Sequence, residues 1–180
     1  ICPANIRQRR NPGADRPVGQ AFTSGMHGLM RVHYLSCGTD CPVGGAFFDG
    51  FSKGPLGLIP CAAQLVETSA GLVLIDTGYG MQDVRRPHPR LSKFFHTLLN
   101  IRFREEDTAI HQIRALGYSP ADVRHIVLTH LDFDHAGGLE DFPNATVHLT
   151  AREKEVADER KGGFFVGSRR YRPEQWNDVD

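Results

Sequence analysis

The ten residues Thr129-His-Leu-Asp-Phe-Asp-His-Ala-Gly-Gly138 constrain this chain more than any other stretch. They follow Ile126-Val-Leu128, a short apolar run of the kind that forms a buried strand. If the chain leaves that strand extended, His130, Asp132 and Asp134 point to one side and Leu131 and Phe133 to the other, because side chains alternate across a strand. His135 follows where the chain must turn, and Asp134 or His135 is expected at the head of a short helix running to Leu139. Ala136-Gly137-Gly138 permits that turn and lets the backbone pass close to bound ions. Imidazole nitrogen and carboxylate oxygen are the donors of catalytic zinc sites, and they also suit iron and manganese. Four donors packed this closely do not reach a single ion in good geometry. The pattern therefore predicts two adjacent ions, with His130 and Asp132 facing one and Asp134 and His135 the other. Such a pair generates hydroxide near neutral pH and polarises a carbonyl or phosphoryl oxygen.

The rest of the chain reads as an α/β plan. Residues 1–29, rich in Pro, Gly and Arg, are expected to be a disordered or non-native extension, and residues 30–180 the domain. Arg31-Val-His-Tyr-Leu-Ser alternates as a half-buried strand does. A Gly-rich loop over 38–57 carries Phe47, Phe48 and Phe51, which either pin the loop to the core or wall a substrate site. Cys61–Thr68 and Gly71–Asp76 read as two strands, and the second is apolar enough to be covered on both faces. Helices are predicted over Leu91–Leu99, Glu105–Leu116 and Ala151–Arg160, and strands over Ile126–Leu128 and Thr146–Leu149. Ser119-Pro-Ala-Asp122 is a helix-start signature that opens only one turn.

Composition narrows the function. Lys and Arg together number 21, as do Asp and Glu, so the formal charge is zero. That argues against a nucleic-acid partner or an anionic membrane surface. With no secretory leader and no transmembrane run read in the sequence, the expected location is the cytoplasm, and the expected partner a small-molecule substrate. The four Cys form no C-x-x-C pair, which excludes a zinc knuckle or thioredoxin-type motif. His33, His88, His96, His111, His125 and His148 read as surface or satisfied histidines, and Arg169, Arg170, Tyr171, Arg172 and Trp176 as solvated surface.

Thr129 to Gly138 resembles the His-x-His-x-Asp-His metal signature of the metallo-β-lactamase-fold hydrolases, and Gly71–Gly78 resembles the strand and turn that precede it. The span from Met30 to Leu149 most resembles the branch containing N-acyl-homoserine lactonases. The resemblance implies a metal-dependent hydrolase acting on an ester, lactone or similar bond, with two divalent ions, zinc first. It implies His130, Asp132, Asp134 and His135 as metal ligands. Asp134 would also orient the hydroxide and pass a proton to the leaving group. Asp76 would hold the metal loop from behind by hydrogen bonds. Asp132 stands where the family usually has His, which shifts preference toward iron or manganese and raises the di-iron redox branch as an alternative. The family's later ligands find no counterpart after His148. The chain is therefore expected to be the first half of a four-layer αββα fold without its C-terminal half, and a non-catalytic relative or inactive fragment is the other alternative.

Overall fold

A computed structural model describes residues 30–160, 168–177 and 179. The extension expected over 1–29 lies outside the described residues. Five strands form one mixed sheet in the order β1-β2-β3-β4-β5. They are β1 (Arg31–Asp40), β2 (Ile59–Thr68), β3 (Gly71–Ile75), β4 (Val123–Val127) and β5 (Thr146–His148). The first three are antiparallel, and β3–β4 and β4–β5 are parallel.

Several boundaries move from the sequence reading. β1 continues to Asp40 through a register shift between Ser36 and Thr39, which shortens the Gly-rich loop. Within that loop a single helical turn, α1 (Ala46–Asp49), leaves Phe47 89% and Phe51 66% exposed, so these rings do not pin it to the core. The crossover from β3 to β4 holds α2 (Met81–Arg85), α3 (Pro87–Arg90), α4 (Lys93–Leu99) and α5 (Ala109–Ala115). The helix expected from Glu105 begins only at Ala109, because Thr108 is extended and closes a separate 3-10 turn at Glu105–Asp107. Gly117 takes the left-handed conformation, φ 92°, expected just beyond that helix. Ser119 and Asp122 form the reciprocal cap read from the sequence, and β4 starts at Val123 directly after it.

One sheet face carries the core. Leu35, Ala63, Leu65, Leu72, Leu74, Val123 and Ile126 pack with Ala109, Ile110 and Ile113 of α5 and with Ala157 of α7 (Ala151–Arg160). The opposite face is apolar but open. Tyr34 and Val32 are exposed and Val66, Val73 and Ile75 only half-buried. β3 is thus covered on one face by the described residues, not on both, because the helices that enter the core all lie against its other side.

The segment after 167 departs most from expectation. Tyr171 and Trp176 are buried in the core, and Arg172 donates to the carbonyls of Pro89 (2.6 Å) and Arg90 (2.7 Å). This basic aromatic cluster is a clasp across α3 and not solvated surface. Asp141 makes another long-range clasp, accepting from the amide of Met81 at the start of α2 (3.0 Å). Burial, only partly offset by that bond, pushes the Asp141 carboxyl up to about 6. A carboxyl raised in the folded state loses stability as pH climbs from its unfolded value through the folded one. Asp141→Asn, which keeps the acceptor oxygen, is therefore expected to stabilise the protein by up to about 3 kcal/mol at pH ~8 and by nothing below pH ~4. Thermal unfolding at both pH values checks this.

Candidate functional site

β3 and β4 run parallel in register, with Ile75 opposite Val127, so both strands deliver their next residues to the same edge of the sheet. Asp76 follows β3 and Thr129 follows β4 by two residues. Asp76 adopts φ 54°, a left-handed conformation that Asp tolerates better than most residues. From there its Oδ1 accepts the Thr129 amide (2.8 Å), its Oδ2 accepts the Thr129 hydroxyl (2.8 Å), and its Oδ2 lies 3.0 Å from Nδ1 of His135. Burial opposes the Asp76 carboxylate, but the bonds from His135 and Thr129 outweigh it and hold the carboxyl below its ordinary value. Thr77 adds amide and hydroxyl bonds to the His135 carbonyl (2.9 and 2.7 Å), and its hydroxyl oxygen accepts from Gly138 (2.9 Å).

The metal motif itself is extended only as far as Asp132. Asp132 is the N-cap of a one-turn helix, α6 (Phe133–Ala136), and its carbonyl accepts from His135 (2.9 Å) and Ala136 (3.0 Å). The helix therefore starts before both residues that the sequence reading offered for its head, Asp134 and His135, and it ends before Leu139. Leu131 and Phe133 are both buried, Leu131 in the main core and Phe133 in a second cluster with Cys61 and Tyr79, and the Leu131 amide is held by the Glu153 carboxylate of α7 (3.0 Å). Gly137 serves packing against the β3 turn. A Cβ there would fall 2.1 Å from Oδ2 of Asp83 and 2.8 Å from the Gly78 carbonyl oxygen.

The four motif donors converge. Nε2 of His130 lies 3.4 Å from Oδ2 of Asp132, and Nε2 of His135 lies 3.5 Å from Oδ2 of Asp134. The two imidazole centroids are 4.0 Å apart. Each ring has a group behind its Nδ1: that of His130 is hydrogen-bonded to the Thr129 hydroxyl (2.8 Å), and that of His135 lies 3.0 Å from the Asp76 carboxylate. Each therefore presents Nε2 to a carboxylate, which is how ligating histidines are held around ions. Burial opposes the His135 imidazolium, but Asp76 and the charges of Asp134 and Asp132 outweigh it and raise its pKa above the ordinary value. The donor set fits divalent ions.

Three partners escaped the sequence reading. Arg170 reaches across so that its Nε lies 2.5 Å from Oδ1 of Asp132. Asp40 and Cys61, at the ends of β1 and β2 nearest the site, face Asp134 from the other side. Nothing local in the chain marks them, because each meets its partner through the tertiary fold. Burial and the Asp134 charge push Asp40 up to about 7, and the Tyr79 hydroxyl donates to its Oδ1 (3.0 Å). Among the described residues five other histidines are hydrogen-bonded elsewhere, His33 at 2.6 Å from Glu67, His88 at 3.0 Å from the Leu91 carbonyl, His111 at 3.1 Å from Thr108, and His125 against His148 at 3.0 Å, and His96 packs against the rings of His88 and Phe103.

Comparison with known proteins points the same way. The model of the metallo-beta-lactamase superfamily matches residues 56–179. A protein of Mycobacterium tuberculosis named "probable metallo-hydrolase" is 44% identical over 194 residues, taking in 97% of this chain and 56% of that protein. An N-acyl homoserine lactonase of Bacillus thuringiensis is 32% identical over 133 residues, 74% of this chain and 53% of that protein. The chain thus spans about half the length of the curated relatives it matches. Among solved structures, an N-acyl homoserine lactone hydrolase with the product N-hexanoyl-L-homoserine at its catalytic metal centre superposes with a TM-score of 0.61. It is 26% identical, and the match covers 80% of this chain and 54% of that one.

Proposed function

The chain belongs to the metallo-beta-lactamase superfamily, and from that premise we propose that the protein is a metal-dependent hydrolase opening a lactone or related ester. The observation that carries the proposal is the convergence of His130, Asp132, Asp134 and His135, with both imidazoles oriented from behind and Nε2 turned to a carboxylate. His130 with Asp132 would hold one ion and Asp134 with His135 the other. When bound, two divalent ions supply hydroxide near neutral pH and polarise the substrate carbonyl. The residues do the rest. Asp76 and Thr129 fix the rings. Asp134 takes up the proton released in the attack and returns it to the leaving alkoxide. Arg170 offsets the charge that Asp132 adds, so the pair is neutral, as a histidine in that place would be.

Lactonases among the relatives, and the acyl-homoserine product held at a metal centre in a structural neighbour, support a small acylated lactone as the substrate class. The test is metal content by elemental analysis together with lactone opening followed by acid release. The expected result is bound zinc, activity lost on chelation, and activity restored by zinc. Undiminished hydrolysis after the metal is stripped would overturn the reading.

A further inference from the structure

We propose that the Cys61 thiol is a ligand of the ion held by Asp134 and His135, with the Asp40 carboxylate as an additional oxygen donor on the same side. This rests on the metal reading above and extends it to two residues outside the motif. Cys61 lies near the start of β2 and is 3% exposed. Its Sγ is 4.0 Å from Oδ2 of Asp134, the same oxygen that lies 3.5 Å from Nε2 of His135. One carboxylate oxygen therefore faces an imidazole and a thiol together. Asp40 closes the group: one donor atom each from Asp40, Cys61 and Asp134 lie within 4.8 Å of one another.

The charge balance argues for a cation at this point. Asp40 and Cys61 are buried and meet half-buried Asp134; among the described residues Asp40 has no lysine or arginine partner, and the cationic partner of Asp134 is His135, at 3.5 Å. Two like charges in a dry pocket are costly unless a counter-charge is supplied. Tyr79 donates one hydrogen bond to Asp40, which satisfies an oxygen but brings no positive charge. A divalent ion supplies that charge and makes the thiol a ligand by displacing its proton. A cysteine that only filled space would need no carboxylates in front of it. The thiolate is a soft donor, so this assignment turns the ion of Asp134 and His135 toward zinc.

Cobalt substitution tests it. Cobalt(II) bound in the protein gives visible ligand-field bands whatever its donors, and an intense near-ultraviolet charge-transfer band only when a thiolate is coordinated. The wild type is expected to show both. Cys61→Ser is expected to keep the visible bands and lose the near-ultraviolet band, whereas Asp40→Asn keeps both and binds cobalt more weakly. Should Cys61→Ser fail to fold, Cys61→Ala takes its place, and X-ray absorption of the zinc-loaded wild type gives an independent reading, with a sulfur scatterer expected at about 2.3 Å. Visible bands without the near-ultraviolet band, a near-ultraviolet band that survives loss of Cys61, or a zinc shell of nitrogen and oxygen alone would each overturn the proposal while leaving the metal site standing. Absence of any bound cobalt would instead overturn the metal reading itself.

Discussion

Arg90→Ala is expected to destabilise the fold by about 3–5 kcal/mol, the cost of leaving one partner of a buried ion pair behind. Asp83 is fully buried, and its Oδ1 accepts from Nε of Arg90 at 2.8 Å. The guanidinium goes on to Glu140 (3.0 Å) and to the carbonyls of Glu174 (2.9 Å) and Gly137 (3.4 Å). One side chain thus ties α2, the turn after the metal motif and the C-terminal clasp to each other. Burial raises the Asp83 carboxyl above its ordinary range even with Arg90, Gln175 and Gly80 bound to it. Without Arg90 it must take a proton or draw in water. The sign follows: a carboxyl raised in the folded state costs stability once pH exceeds its unfolded value of about 4, so the defect should shrink in acid. Urea unfolding at neutral and acid pH measures this. Adding Asp83→Asn should recover much of the loss, and a single-variant loss under about 1 kcal/mol would show that the pair is idle.

The second large effect is expected at Asp76. Asp76→Asn keeps an oxygen to accept the Thr129 amide and tolerates the left-handed backbone, so the fold should hold. The amide nitrogen, however, would face Nδ1 of His135, where the carboxylate now lies. An amide N–H there selects the tautomer that carries its proton on Nε2, which removes that nitrogen as a ligand. Affinity for zinc is expected to fall about 10–100-fold, the usual cost of losing a partner behind a ligating histidine. Competition with a chromophoric chelator measures it, and unchanged affinity with an unchanged melting temperature would remove Asp76 from the site.

How far the sequence reached depended on distance along the chain. The apolar run before Thr129, the extended chain as far as Asp132, the Ser119 cap and the helix over Ala151–Arg160 are local patterns, and the structure has each of them. Asp76 was legible because it ends an apolar strand at a turn. The helix onset at Phe133 lies one or two residues before the expected one, because an Asp between two apolar residues reads equally as extended chain or as an N-cap. Asp83, Arg90 and Gln175 carry no pattern at all, since Gln175 meets Asp83 from 92 residues away. Arg170 and Trp176 were taken for solvated surface because charge and aromatic content fit a wet face as well as a clasp.

The parallel pairing of β3 and β4 also bears on how a protein of this kind diversifies. Their hydrogen-bonded register puts Asp76 beside Thr129 whatever the length of chain between them. The intervening connection is bound to the motif through Thr77, through Asp83 and Arg90, and through Phe95 of α4 against Phe133. Insertions and deletions elsewhere in it, for example at the turn Glu105–Asp107, which buries none of its residues, leave that pairing in place. Variation along the connection is thereby separable from the edge on which Asp76 and Thr129 meet.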